Sequence, residues 1–127
     1  MAPIRALIVD DSSVMRKIVE RTLRQAGLDL EAVYEASTGN EALELLQSRQ
    51  VHLILSDINM PSMDGLEFVN EVRSRNLAKD TPIVMITTES SAEHVKKAIL
   101  AGACGYIRKP FTVEQMKERV VPLVSAG

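Results

Sequence analysis

Short apolar runs alternate with segments of helical periodicity along the whole chain. Five runs have the near-continuous hydrophobicity of strands covered on both faces. The predicted strands are residues 4–9, 32–36, 52–56, 83–86 and 105–108. Between them, apolar residues recur at the three- and four-residue spacing of amphipathic helices. This βαβαβαβαβα order predicts a doubly wound α/β fold, with a parallel sheet, right-handed crossovers and helices on both faces.

Capping and breaking residues mark the predicted helix ends. Ser12 or Ser13 caps the first helix and Gly27 ends it, while Thr38 and Glu41 fit a capping box for the second. The remaining signals are the loop at 60–65 before the third helix, Ser90 or Ser91 and Gly102 bounding the fourth, and Thr112 capping the fifth.

Composition narrows the function classes. A chain of 127 residues suits one domain, and a net charge of −2 gives no electrostatic reason to expect nucleic-acid binding. No apolar run approaches the roughly 20 residues that span a bilayer, and the N-terminus lacks the pattern of a secretory signal. Cys104 is the single cysteine, so no internal disulfide is expected, and we predict that it packs as a small hydrophobe. These features favour a cytoplasmic protein.

Polar residues follow four of the predicted strands. Asp10 and Asp11 come after the first, Asp57 after the third, Thr87 after the fourth and Lys109 after the fifth. In open α/β sheets, ligands bind outside the carboxyl ends of the strands. We therefore expect these side chains to converge on one site, whose chemistry suits a hard cation and a phosphoryl group.

The three acids predict a magnesium site. Carboxylates held close together repel one another unless a cation is present, and Mg²⁺ prefers oxygen ligands. Asp11 and Asp57 are interpreted as direct ligands, Asp10 as the holder of a metal-bound water, and the backbone carbonyl of Asn59 as a further ligand. The alternative is that Asp10 or Asp11 only caps the following helix.

One acid is also a candidate nucleophile. Asp57 ends the central strand and precedes a loop with Pro61, so we expect it to be the best exposed acid. Lys109 would neutralise charge on a phosphoryl group and Thr87 would donate a hydrogen bond to it. The Lys109–Pro110 bond is a candidate for the cis isomer at a tight turn, with an ordinary trans turn as the alternative.

These segments resemble the receiver domain of bacterial response regulators over essentially the full length. The resemblance rests on Val9-Asp10-Asp11-Ser12, Ser56-Asp57-Ile58-Asn59-Met60-Pro61 with Asp64-Gly65, Ile86-Thr87-Thr88-Glu89, and Gly105-Tyr106-Ile107-Arg108-Lys109-Pro110-Phe111. It implies a flavodoxin-like (βα)5 fold with a five-stranded parallel sheet of order 2-1-3-4-5. It also implies that Asp57 accepts a phosphoryl group from a histidine kinase, with Mg²⁺ held by Asp10, Asp11 and the Asn59 carbonyl.

The resemblance further implies a conformational switch. Thr87 and Tyr106 are similar to the family's switch pair, and Asn59 and Glu89 to the positions that tune hydrolysis. Phosphorylation would then reshape the face built from the fourth helix, fifth strand and fifth helix, within residues 90–124. Alternatively, Tyr106 is only a half-buried aromatic on an edge strand.

A single receiver domain over 1–127 without an output domain is expected to act by binding partners, as stand-alone chemotaxis receivers do. The implied partners are a histidine kinase and a downstream protein such as the flagellar motor switch, bound by a monomer. Beyond phosphotransfer to itself and autodephosphorylation, no enzymatic activity is expected. A phosphate sink or a single-domain adaptor in another phosphorelay is an alternative, and an aspartate-nucleophile phosphatase is a further one.

Two positions depart from the family pattern. Thr88 stands where many relatives have a small alanine, and its bulk would alter the space open to Tyr106. Pro122 lies late in the last helix pattern, where a proline loses a hydrogen bond and clashes with the preceding turn. We expect that helix to kink or end near Val121.

Overall fold

A computed structural model describes residues 3–88 and 92–124. Five strands alternate with five helices along this part of the chain. In order they are β1 (Ile4–Val9), α1 (Ser13–Gln25), β2 (Leu30–Ala36), α2 (Gly39–Ser48), β3 (Leu53–Asp57), α3 (Gly65–Ser74), β4 (Ile83–Thr87), α4 (Ala92–Ala101), β5 (Gly105–Arg108) and α5 (Val113–Val124). The sheet is parallel throughout and has the order β2-β1-β3-β4-β5, as predicted.

The sheet separates two apolar cores. On one face α2, α3 and α4 cover a core that includes Phe68, and on the other α1 and α5 cover a core that includes Met116. Alternate residues of the central strand β3 contribute to opposite cores, with Ile54 in the first and Leu55 in the second. Because β3 is covered on both faces and flanked by β1 and β4, all of its residues are buried.

Strand boundaries differ slightly from the sequence prediction. β2 begins at Leu30, two residues early, because Leu30 is buried and pairs with Ile4 of β1. β3 and β4 run one residue further, to Asp57 and Thr87, since Asp57 still pairs with Ile86. Asp57 and Thr87 therefore close their strands, whereas Asp10 and Lys109 follow theirs as predicted.

The predicted caps are largely confirmed. Ser12 Oγ accepts from the backbone N–H of Met15 at 3.2 Å, and Thr38 Oγ1 accepts from Glu41 at 3.1 Å. In a complete capping box the Glu41 carboxylate would accept from the backbone N–H of Thr38. Here it accepts from the hydroxyl of Ser37 instead. The other caps are a two-way hydrogen-bonded box between Thr112 and Gln115, and Gly27 with φ +97° after α1. Ser90 and Ser91 lie outside the described residues.

The predicted early end of the last helix is wrong. α5 continues through Pro122 to Val124. The proline stands in the last turn, where it removes only one helical hydrogen bond. Val120 is fully buried, and Val121 and Leu123 pack against the core shared with α1, so tertiary packing outweighs the local cost.

Cys104 is exposed, which contradicts its predicted packing as a small hydrophobe. It lies between α4 and β5, where its backbone N–H donates to the carbonyl of Ile83 at 2.8 Å. The backbone, rather than the thiol, joins this residue to the sheet. All helices in the described part of the chain are too short or too polar to span a bilayer.

Arg73 connects α3 to two other segments of backbone. Its guanidinium donates to the carbonyl oxygens of Ala78 at 2.6 Å, Thr81 at 2.9 Å and Gly102 at 3.1 Å. These carbonyls belong to the connection into β4 and to the end of α4. One half-buried side chain therefore fixes the packing of α3 against both segments.

Arg73→Met is expected to lower the free energy of unfolding by about 2–3 kcal/mol, because three carbonyl oxygens lose a charged donor. Chemical denaturation measures this change. Arg75→Met is the matched control, since Arg75 is exposed and, among the described residues, its side chain pairs only with Glu71, at 2.7 Å; its loss should cost less than about 0.5 kcal/mol. Equal effects of the two substitutions would show that the Arg73 bonds contribute no more than a surface ion pair.

Candidate functional site

The carboxyl ends of four strands bring the predicted site residues together. Asp10 follows β1, and its N–H donates to the Ala36 carbonyl of β2 at 3.0 Å. Asp57 and Thr87 are the last residues of β3 and β4. Lys109 follows β5, and its N–H donates to the Thr87 carbonyl at 2.8 Å. Backbone hydrogen bonds of the sheet thus hold residues from distant parts of the sequence at one edge.

The three carboxylates form one compact cluster. Asp10, Asp11 and Asp57 each offer an oxygen, and these oxygens lie within 4.8 Å of one another. Asp11 is the exposed member, whereas only 9% of the Asp57 side chain is exposed. The expectation that Asp57 is the best exposed acid is therefore wrong. It closes the buried central strand, and the following loop folds back through a bond from the Gly65 N–H to the Ile58 carbonyl at 2.7 Å.

The interpretation of Asp10 or Asp11 as a helix cap is also wrong. Ser12 is the N-cap of α1, and Asp10 Oδ1 instead accepts from the Ser12 N–H at 2.9 Å. This bond leaves Asp10 directed into the cluster, with Oδ2 facing Lys109.

Lys109 places an ammonium against the carboxylates. Its Nζ lies 3.3 Å from Asp57 Oδ2 and 3.5 Å from Asp10 Oδ2, with 15% of the side chain exposed. The Lys109–Pro110 bond is cis, as considered from the sequence. One ammonium does not balance three carboxylates, so the cluster keeps negative charge. A hard cation fits this arrangement, because every available donor is a carboxylate oxygen.

Burial raises the pKa of Asp10 above its ordinary value. The hydrogen bond from Ser12 and the charge of Lys109 act in the opposite direction, while the charge of Asp57 adds to the rise. Desolvation therefore outweighs the favourable contacts in the metal-free protein. A bound cation would favour the ionised carboxylate and oppose this effect.

The loop after β3 adds a backbone contact to Asp57. The N–H of Asn59 donates to Asp57 Oδ1 at 3.3 Å, and the Asn59 side chain is exposed. Asp57 therefore has one oxygen bonded to its own loop and the other paired with Lys109. Glu89, the second predicted tuning position, lies outside the described residues.

Thr87 and Tyr106 lie on the same face of the sheet. Thr87 pairs with Arg108 across β4 and β5, and Tyr106 pairs with Met85. Residues two apart along a strand share a face, so Thr87 lies on the same face as Met85. Tyr106, the partner of Met85, lies on that face too, on the side of the sheet that α4 covers. Thr87 is 1% exposed, whereas Tyr106 is half-buried on the edge strand with the Arg119 guanidinium 5.4 Å from its ring. This arrangement accommodates both a switch pair and a half-buried edge aromatic.

Two residues that neighbour the acidic cluster, Arg16 and Glu35, were not predicted from the sequence. Arg16, in the first turns of α1, donates to the Asp10 carbonyl at 2.6 Å and to Glu35 Oε1 of β2 at 2.9 Å. The sequence does indicate that Arg16 needs an acidic or carbonyl partner, because a basic residue near a helix N-terminus is unfavourable with respect to the helix dipole. The partner itself could not be identified without the pairing of β1 with β2.

Glu35 is the acidic partner in this contact. Hydrogen bonds from Lys17 and Arg16 hold the pKa of Glu35 below its ordinary value of 4.5. A carboxylate whose pKa is lowered by folding stabilises the protein above its unfolded pKa. That stabilisation is lost as the pH falls through the folded pKa.

Glu35→Gln is expected to reduce stability at neutral pH, with the deficit relative to wild type shrinking below about pH 4.5 as the wild-type carboxylate protonates. Urea unfolding from about pH 7 down to about pH 3 measures the deficit. Glu44→Gln is the control, since Glu44 is exposed and has no ion pair among the described residues. A deficit that stays constant to the lowest pH would contradict the contribution of the Glu35 charge.

Comparison with known proteins identifies the family of this site. A model of the response regulator receiver domain matches residues 6–121. The chain is 43% identical over 124 residues to a chemotaxis protein CheY homolog of Campylobacter jejuni, covering 97% of this chain and 94% of that protein. It is 44% identical over 117 residues to chemotaxis protein CheY1 of Helicobacter pylori, covering 91% and 93%.

A solved structure gives the same result in three dimensions. The chemotaxis protein CheY4 of Vibrio cholerae superimposes with a TM-score of 0.85 at 40% identity, covering 96% of this chain and 99% of that one. The family match, the sheet order and the acidic cluster at the ends of β1 and β3 agree. The chain therefore belongs to the response regulator receiver domain family, whose members are phosphorylation-controlled switches of two-component signalling.

Proposed function

We propose that this chain accepts a phosphoryl group on Asp57 from a histidine kinase, in the presence of Mg²⁺, and thereby controls the binding of a downstream protein. The supporting observation is the position of Asp57. It closes the central strand, belongs to a cluster of carboxylate oxygens within 4.8 Å of one another, and lies 3.3 Å from the ammonium of Lys109.

The chain's own donors would hold the cation. Asp11 and Asp57 are the proposed direct ligands, Asp10 the holder of a metal-bound water, and the backbone carbonyl of Asn59 a further ligand. When bound, Mg²⁺ would supply positive charge against the phosphoryl oxygens. The oxygen-only donor set and the negative charge that Lys109 leaves uncompensated support this assignment.

The transfer step is a substitution at phosphorus. A carboxylate oxygen of Asp57 forms the new P–O bond while the P–N bond of the donor phosphohistidine breaks, and the imidazole nitrogen keeps the electron pair. Lys109 is placed to pair with a phosphoryl oxygen, and Thr87 to donate a hydrogen bond to another. Hydrolysis of the resulting acyl phosphate returns the free carboxylate, at a rate that Asn59 and Glu89 are proposed to tune.

Thr87 and Tyr106 are the proposed switch pair. Their shared face of the sheet supports this proposal, because movement of Thr87 toward the phosphoryl group would open space beside Tyr106. The affected surface is the α4–β5–α5 face. It carries the exposed apolar side chains of Ile99 and Leu100, which suit a protein partner.

Chemotaxis is the proposed process and the flagellar motor switch the proposed downstream partner. Both curated relatives described above are named chemotaxis proteins. Their names give no support to a phosphate sink, an adaptor or an aspartate-nucleophile phosphatase. We further propose that the protein is a monomer and lies in the cytoplasm. The single cysteine of the sequence is compatible with that location.

Intact mass after incubation with acetyl phosphate or with a phosphorylated histidine kinase, with and without Mg²⁺, tests the proposal. The expected result is one phosphoryl adduct that requires Mg²⁺. A folded protein that gains no adduct from either donor would contradict the proposed chemistry. Capture of purified flagellar switch protein, with and without phosphorylation, then tests the partner; equal binding in both states would contradict a phosphorylation-controlled interaction.

A further inference from the structure

Arg16 contacts the backbone of the acidic cluster rather than its carboxylates. Its Nη1 donates to the Asp10 carbonyl oxygen at 2.6 Å, and its Nε donates to Glu35 Oε1 at 2.9 Å. Only 15% of the Arg16 side chain is exposed. The guanidinium therefore connects the end of β1 to β2 from a fixed position on α1.

The bond from Arg16 means that both backbone polar groups of Asp10 are hydrogen-bonded. The Asp10 N–H is bonded to the Ala36 carbonyl of β2 at 3.0 Å, and the Asp10 C=O is bonded to Arg16. The Asp10 carbonyl belongs to the peptide plane that carries the nitrogen of Asp11. Its orientation therefore fixes the direction of the N–Cα bond of Asp11, from which the Asp11 side chain is placed.

Asp11 depends on its backbone for placement. Its side chain is exposed and makes no hydrogen bond or ion pair with any of the described residues. Asp10, by contrast, is held by Ser12 and Lys109, and Asp57 by Asn59 and Lys109. Among the three acids, Asp11 is the one whose side chain is held by no other described residue, so its placement depends most on the backbone.

We propose that Arg16 is a positioning residue that fixes the Asp10–Asp11 peptide and so preorganises Asp11 for the divalent cation. This inference rests on the proposed metal-dependent function. The fork of the guanidinium matters, because it donates to the Asp10 carbonyl and the Glu35 carboxylate at once, which a compact ammonium cannot do in the same geometry. Lys17 Nζ, 3.1 Å from Glu35 Oε2, holds the far side of that carboxylate.

The positive charge of Arg16 makes the two possible effects on Mg²⁺ affinity opposite in direction. Removing a positive charge beside a cation site would by itself strengthen metal binding. Weaker binding on removal of Arg16 therefore requires loss of positioning. Partners that orient metal ligands are typically worth about 10–100-fold in affinity.

The experiment measures the dissociation constant for Mg²⁺ by amide NMR titration of Arg16→Met, Arg16→Lys and the matched control Arg24→Met. Arg24 lies on the same helix in an exposed pair with Glu20. Both Arg16 variants should bind Mg²⁺ about tenfold more weakly, whereas Arg24→Met should match wild type. Arg16→Lys keeps the charge and most of the stem, so it reports on geometry even if Arg16→Met folds poorly.

Phosphoryl uptake from acetyl phosphate supplies a second readout. The positioning role predicts that the Arg16 variants need more Mg²⁺ for half-maximal labelling but approach the wild-type rate at saturating Mg²⁺. Unchanged or tighter binding by folded Arg16 variants would overturn this inference while leaving the proposed function intact. Failure of wild type to bind Mg²⁺ would overturn both.

Discussion

Asp57→Asn is expected to fold and to gain no phosphoryl adduct from acetyl phosphate or from a phosphorylated kinase. An amide has nearly the shape of a carboxylate and can still accept from the Asn59 N–H, so the loop after β3 is retained. It is not a nucleophile toward phosphorus at neutral pH, because its lone pairs are delocalised and its oxygen carries no full charge. The adduct should therefore fall below detection by intact mass.

Asp64→Asn is the matched control for this substitution. Asp64 caps α3 by accepting from the Glu67 N–H at 2.9 Å, and asparagine is an equally good cap. That variant should label as wild type does. Normal labelling of Asp57→Asn would instead place the modification on another residue, which peptide mapping of the adduct would locate.

Gly65→Ala is expected to destabilise the protein and disturb the site together. A Cβ on Gly65 would stand 2.4 Å from the Asp57 carbonyl oxygen and 2.7 Å from Ile58 Cα, both of which are backbone atoms. Neither can move without displacing the end of β3. Overpacking of this kind costs about 1–3 kcal/mol, and urea denaturation should show a loss at the upper end of that range.

Gly105→Ala separates the steric effect from the general effect of removing a glycine. A Cβ there would meet no atom within 4 Å, and the residue begins the edge strand β5. The substitution should be neutral, or should stabilise the fold by up to about 1 kcal/mol by restricting the unfolded chain. Similar losses in the two variants would show that close approach to Asp57 does not decide the requirement for glycine at residue 65.

The positions of the site residues could be predicted because they depend on local patterns. Apolar runs of strand length ended next to Asp10, Asp57 and Lys109, and parallel topology then placed those ends at one edge. The turn signals at Gly27 and Thr112 worked for the same reason, since capping chemistry lies within a few residues of the helix end.

The failed predictions concern properties that arise from packing between distant segments. Asp57 is buried because it closes the central strand β3, which is flanked by β1 and β4 and covered by helices on both faces. The last helix continues past Pro122 because its neighbours pack against α1. Likewise, Arg16 pairs with Glu35, 19 residues away in the sequence, and Arg73 donates to Gly102, 29 residues away, and both contacts exist only in the completed fold.

The strands of the sheet differ in how easily they open, because β3 lies at its centre and β5 at its edge. Amides of a strand covered on both faces and paired on both edges exchange with solvent only through large openings, whereas an edge strand opens locally at lower cost. Asp57 therefore belongs to the part of the sheet that opens only at high free energy. Tyr106 stands on β5, at the sheet margin, where local rearrangement costs less free energy than it does at β3.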